Sequence, residues 1–336
     1  MINEKAIDQS DKTEQQKNLR VNQALKNMFG LPVDAPEAKP MPDAEKLLYG
    51  DREPDEIGDL QVNERVFGYE IYRPTKEANG VWLVAEHGHC GRARDWAKLA
   101  KIANDEGYGL LALEMHKHGR DDYEKMSMKL EEWVAAGQQA PEILHQKNIQ
   151  PKKLIFLGQS SGGSAGAAMA AEGEQSHSYD GIILIGPTLT NTDPDGVKAM
   201  QDLVSQNIGP DKDAMLDWKW MAPLFAQIKD VKLNAAYAGY LSTLPGFPFR
   251  NSKDSMVIDD DKILNRLRDI NVPLVVSAGE FDVIDHRSIP QLEESLKHTP
   301  NQNVIIEKIK GAGHQAQIEK PELVMSLVDE LLSQIE

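Results

Sequence analysis

The run Leu154-Ile155-Phe156-Leu157-Gly158-Gln159-Ser160-Ser161-Gly162 constrains the fold of this chain more than any other stretch. Four apolar residues in a row predict a buried strand. The Gly-x-Ser-x-Gly that follows predicts a sharp turn into a helix, with glycines flanking the point where the backbone doubles back and no side chain fits. The helix predicted from Ser161 to Ala171 carries Gly163, Ala165, Gly166, Ala167, Ala168 and Ala170, small residues that let it lie close on a sheet. A strand, a tight turn and a close-packed helix in that order define an α/β architecture and leave Ser160 at the tip of the turn.

A serine so placed needs a base, and a basic histidine needs an acid to fix its tautomer. Downstream, Val272-Pro273-Leu274-Val275-Val276-Ser277-Ala278 is a second buried strand ending in Gly279-Glu280-Phe281-Asp282. Asp282 is the acid candidate on loop position, with Glu280 and Asp285 as neighbouring alternatives. The strand Asn303-Val304-Ile305-Ile306-Glu307-Lys308-Ile309 leads to Gly311-Ala312-Gly313-His314, where two glycines let the loop return over the sheet. His314 is the base candidate. The intervals, 282 − 160 = 122 and 314 − 282 = 32 residues, leave room for an insertion in the first and for one helix and one strand in the second.

Upstream, the strand Val81-Trp82-Leu83-Val84-Ala85 enters Glu86-His87-Gly88-His89-Cys90-Gly91, a turn suited to presenting backbone N–H groups to a developing oxyanion. It continues through Arg94-Asp95-Trp96, the strand Leu110 to Leu113 and His118-Gly119-Arg120-Asp121. With Gly311-Ala312-Gly313-His314-Gln315-Ala316 before Glu319-Lys320-Pro321-Glu322, these motifs resemble the α/β-hydrolase superfamily over roughly residues 61 to 336. The similarity is to its esterase, monoacylglycerol-lipase and serine-aminopeptidase-like branch. Ser160 stands where epoxide hydrolases and dehalogenases have Asp, which disfavours those branches.

The resemblance implies an α/β-hydrolase fold: a mostly parallel, doubly wound sheet with a helical cap insertion. It also implies Ser160 as nucleophile, His314 as general base and acid, and Asp282 as the residue orienting the imidazole. The implied oxyanion donors are the backbone N–H groups of Ser161 and His89. The chain departs from the family pattern at Glu114 and Lys117, where Asp and Gly are common, and at Gln159 and Ser161, where His and Met are common. The implied activity is hydrolysis of carboxylic esters through an acyl-enzyme, with no metal and no organic cofactor.

Other readings stay open at this point. An amidase or aminopeptidase would need a cap carboxylate for a substrate ammonium, and Asp213 and Asp217 are available. An acyltransferase differs only in excluding water from the acyl-enzyme. A hydrolase fold that binds without turnover is a further class, since fold does not fix function. A metal-dependent hydrolase would use His87-x-His89 and His116-x-His118, but Gly91 and Arg92 follow Cys90 where a dinuclear site wants Asp and His. Cys90, the only cysteine, excludes an internal disulfide and fits small packing better than a reactive thiol.

Composition bounds the rest. At 336 residues with 40% hydrophobic content, the chain can bury one sizeable domain. The net charge of −16 opposes attraction to nucleic acid or anionic membranes. No apolar stretch approaches a membrane span, and the polar start at Met1-Ile2-Asn3-Glu4-Lys5 lacks the apolar core of a signal peptide, so a soluble, cytoplasmic protein is expected. Residues 1–60 are expected to form a flexible extension and linker, with a short helix ending near Gly30 and a linker from Ala35 to Asp59. About 188–265 is expected to be the cap inserted into the catalytic domain, 61–336, because some 75 residues exceed a simple crossover. Its Trp218, Trp220, Phe225, Phe247 and Phe249 are candidates for an apolar substrate pocket, alongside Tyr237 and Tyr240, with the cap's own core as the competing role. The expected partner is a small, neutral ester; the oligomeric state is not encoded legibly.

Overall fold

A computed structural model describes residues 41, 43–63, 65–88, 91–115, 130–173, 178–187, 189, 230–241, 267, 270–282, 289–290, 293–294 and 302–335. In chain order the elements are α1 (Ala44–Tyr49), β1 (Glu56–Val62), β2 (Arg65–Tyr72), β3 (Val81–Glu86), a 3-10 turn (Ala93–Trp96), α2 (Ala97–Asp105) and β4 (Gly109–Glu114). Then follow α3 (Leu130–Gln146), β5 (Lys153–Gln159), α4 (Ser161–Glu172), β6 (Gly181–Ile185), α5 (Val231–Leu241), β7 (Leu274–Gly279), β8 (Val304–Ile309), α6 (Ala316–Glu319) and α7 (Pro321–Ile335).

The eight strands form one sheet in the order β1-β2-β4-β3-β5-β6-β7-β8. Strand β2 runs antiparallel to both of its neighbours, and every pairing from β4 to β8 is parallel. Central strands buried on both faces need apolar residues at every position, and β4, β6 and β7 are buried throughout their lengths. Leu83, Ala85, Leu110, Ala112, Ile155 and Leu157 pack on one face against Leu99 of α2 and Val324 and Val328 of α7. Trp82, Val84, Leu111, Leu113, Leu154 and Phe156 pack on the other against Trp133 and Ile143 of α3 and Ala167 and Met169 of α4. The sheet is therefore doubly wound.

The winding direction changes between β3 and β5. From β3 the chain steps outward to β4, then returns to place β5 on the opposite side of β3. Such a switch point opens a crevice at the carboxyl ends of the two strands, where ligands of open α/β sheets bind. Here those ends are Glu86-His87-Gly88 and Gln159-Ser160.

The described part of the expected linker holds a helix and the start of a strand. Ala44, Leu48 and Tyr49 of α1 are buried, and β1 begins at Glu56 and pairs along its length with β2. Strand β1 alternates half-covered with exposed positions up to Val62, so acidic residues such as Asp59 face water while the backbone completes the sheet. Composition alone could not separate such an edge strand from a linker. Residues 1–40 lie outside the described residues. So does most of the expected cap at 188–265, of which α5 is the principal described element.

Candidate active site

Ser160 sits between β5 and α4 with φ 52° and ψ −112°, a left-handed conformation for a non-glycine residue. Its N–H donates to Ile185 O at 2.9 Å, and its carbonyl accepts the N–H of Ser164 at 2.9 Å. The strand behind it and the helix ahead of it thus hold a conformation that costs about 1–3 kcal/mol. The flanking glycines are required by contact: a Cβ on Gly158 would lie 2.2 Å from Gly162 O, and one on Gly162 would lie 2.3 Å from Glu86 O. Ser161 is the first residue of α4, where a backbone N–H has no intrahelical carbonyl to reach.

Asp282 and His314 meet across the ends of β7 and β8. His314 Nδ1 lies 2.9 Å from Asp282 Oδ2, and both side chains are almost wholly buried. A carboxylate only accepts, so Nδ1 carries the proton and the neutral ring has Nε2 as its basic nitrogen. Gln159 connects this pair to the elbow by donating from Nε2 to His314 O at 3.0 Å. Gly186, at the end of β6 with φ 52°, supplies the space: a Cβ there would lie 2.8 Å from Asp282 Oδ2 and 3.2 Å from His314 Nδ1. Glu280 turns elsewhere, accepting the N–H of Gly311 through Oε2 at 2.9 Å. Asp285 lies outside the described residues.

At the end of β3, His87 is buried with both ring nitrogens in use. Its Nδ1 lies 2.6 Å from Gly88 O and must donate to it, while Nε2 accepts the N–H of Met115 at 3.0 Å. With Nδ1 protonated and Nε2 occupied, this imidazole ties β3 to β4 and offers no lone pair to a metal. His89, Cys90, His116 and His118 lie outside the described residues, as do Trp218, Trp220, Phe225, Phe247, Phe249, Asp213 and Asp217. At the end of β3 the N–H of Gly91 donates to Gly88 O at 2.9 Å, a backbone turn between those two residues. Tyr237 and Tyr240 of α5, weighed above as pocket residues, are buried in the core that α5 shares with Leu48 and Tyr49.

Acidic groups fasten the segment after this turn. Glu114 Oε2 accepts the N–H of Ala93 at 2.7 Å, and Asp95 Oδ2 accepts the N–H of Arg92 at 3.1 Å. Burial pushes Glu114 from its usual 4.5 up to about 8 and Asp95 from 3.8 up to about 7. Glu86, fully buried with neither carboxyl oxygen hydrogen-bonded among the described residues, is driven well above the usual carboxylate range by the same desolvation. Gln159 and Gly186 were not legible as site residues, because each works through partners distant in sequence.

A serine elbow at the switch point of a mostly parallel sheet, with a His-Asp pair on the loops after β7 and β8, is the arrangement of the α/β-hydrolase superfamily. Residues 78–321, well over half the chain, match the sequence model of the serine aminopeptidase S33 family, and the chain belongs to that family. Solved structures similar to it include a meta-cleavage product hydrolase from Pseudomonas fluorescens IP01, 18% identical with a TM-score of 0.59 over 83% of this chain and 98% of that one. A thermophilic esterase from Thermogutta terrifontis is 15% identical with a TM-score of 0.57 over 83% and 99% of the two chains. Proline iminopeptidase from Mycobacterium smegmatis is 16% identical with a TM-score of 0.51 over 83% and 98%. At these identities the likeness establishes the fold. No curated protein sequence matches the chain.

Proposed function

We propose that this protein is a serine hydrolase that cleaves carboxylic esters through an acyl-enzyme, within a catalytic domain spanning 61–336. Ser160 attacks the carbonyl, His314 takes the serine proton and returns it to the leaving alcohol, and Asp282 holds the ring in the Nδ1-protonated form. The backbone N–H groups of Ser161 and His89 receive the oxyanion; one such donor is worth about 2.7–4 kcal/mol of barrier in a comparable enzyme. Water then attacks the acyl carbonyl with His314 again as base, releasing the acid. The cap at about 188–265, with Trp218, Trp220, Phe225, Phe247 and Phe249, forms the apolar wall for a small neutral ester in the cytoplasm, and no metal or organic cofactor takes part. The observation that carries this reading is the buried 2.9 Å His314–Asp282 pair tied to the strained Ser160 turn by the Gln159 side chain.

A second reading, amide or aminopeptide hydrolysis, is favoured by membership in the serine aminopeptidase family. It would place a cap carboxylate, Asp213 or Asp217, against a substrate ammonium.

Intact-mass labelling with a fluorophosphonate tests the proposal. One adduct on folded wild type and none on folded Ser160→Ala is the expected result; folded wild type that takes no adduct would overturn it. Competition between p-nitrophenyl esters and aminoacyl-p-nitroanilides then separates the two readings.

A further inference from the structure

Arg92 joins three parts of the molecule that lie far apart in sequence. Its Cζ lies 4.3 Å from the ring centroid of Tyr49, the last residue of α1, and 4.8 Å from that of Tyr240 on α5. The two rings meet edge to face with centroids 6.5 Å apart and planes at 90°. Arg92 Nη2 also pairs with Glu45 of α1 at 3.2 Å. A planar guanidinium can lie against aromatic faces and reach a carboxylate at once, which a lysine ammonium cannot do.

The backbone of the same residue is fixed just as firmly. Three successive N–H groups are committed: Gly91 to Gly88 O at 2.9 Å, Arg92 to Asp95 Oδ2 at 3.1 Å and Ala93 to Glu114 Oε2 at 2.7 Å. Arg92 is therefore a stiff link, with its main chain built into the foot of the turn at 88–91 and its side chain gripped by two helices. Those helices pack on each other. Met41 donates its N–H to Ala235 O at 3.1 Å, and a Cβ on Gly239 would lie 2.4 Å from Met41 O, so α5 packs backbone to backbone on the segment leading into α1.

We propose that Arg92 is a positioning residue for ester turnover: clamped between Tyr49 and Tyr240, it ties helices α5 and α1, through the Gly91–Gly88 hydrogen bond, to the Gly88 backbone, which packs so closely on the elbow that a Cβ on Gly88 would lie 2.7 Å from Ser160 Cβ. This rests on the hydrolase reading above. It follows that helices α1 and α5 act on the chemistry through Arg92, from a distance.

The test compares wild type with Arg92→Met, Arg92→Lys and Tyr240→Leu, using p-nitrophenyl butyrate turnover, the fluorophosphonate labelling rate and hydrogen exchange at the Gly91 amide. Arg92→Met is expected to lower kcat roughly ten- to a hundredfold, the scale of a mispositioned catalytic group. KM should stay within about twofold, labelling should slow in parallel, and the Gly91 amide should exchange faster. Arg92→Lys should recover little of the rate, Tyr240→Leu should resemble Arg92→Met, and the double variant should be no worse than either single one. Wild type that labels, together with Arg92→Met that labels and turns over at the wild-type rate per folded molecule, would sink the clamp alone. Wild type that does not label would sink the hydrolase reading and the clamp with it.

Discussion

At Ser160 the backbone conformation of the turn is a standing cost. Its φ of 52° is one that glycine adopts freely and serine does not. Ser160→Gly is therefore expected to raise the melting temperature by a few degrees while abolishing fluorophosphonate labelling. Ser160→Ala should abolish labelling without that gain, and equal melting temperatures for the two variants would show that the elbow is unstrained. Gly186 shows the converse. Adding a methyl group 2.8 Å from Asp282 Oδ2 at a φ of 52° should displace the acid and cost about 1–2 kcal/mol from the backbone alone, so Gly186→Ala is expected to lose both activity and stability. The choice of acid is tested in the same assay. Asp282→Asn should lower kcat by roughly three to four powers of ten, and Glu280→Gln, whose carboxylate accepts the Gly311 N–H, should leave it near wild type. The opposite ranking would move the acid to Glu280.

Elements divide by how they are buried, and that decided what the sequence revealed. Strands β3 to β7 are covered on both faces and spell themselves out as apolar runs, and the motifs at their carboxyl ends fall where function needs them. Helix α1 has six residues, of which Ala44, Leu48 and Tyr49 are buried, too few to show a helical period. Strand β1 is an edge strand whose exposed positions, Ile57, Asp59 and Gln61, carry no apolar alternation, so it passes for a linker. Likewise Ser160, Asp282 and His314 stand in local motifs, whereas the roles of Gln159, Gly186 and Arg92 exist only once β5, β6 and α5 are in place. The junction of β4 with the 3-10 turn carries a pH dependence of its own. Glu114 titrates near 4.5 when unfolded and at about 8 when buried, so across that interval the folded state binds its proton more tightly. Its contribution is complete below about 4.5, declines as pH rises and is lost beyond about 8; Asp95 adds to the same slope from 3.8 to about 7. Melting temperature should fall between pH 5 and 8, and the fall should be shallower in Glu114→Gln, which keeps an acceptor for Ala93. An unchanged slope would place the titration elsewhere.

For the molecule as a whole, helix α1 ahead of β1 belongs to the packed body. Leu48 is fully buried in the core that also holds Trp96, Tyr237 and Tyr240. Leu48→Ala is expected to cost about 2–5 kcal/mol in denaturant unfolding, as for a core leucine, and a loss below 1 would mean that α1 is peripheral. Among the described residues no helix is long and apolar enough to cross a membrane. The Gln159–His314 hydrogen bond spans 155 residues of chain. Contacts that close so long a loop form late, because their entropic cost falls before their reward. A refolding chain should regain helical circular dichroism well before it regains reactivity toward the probe. On the proposed mechanism, the hydroxyl of a half-folded molecule, with its imidazole still elsewhere, would be an ordinary alcohol, and the wide separation of the two residues would act as a safety catch against indiscriminate acylation.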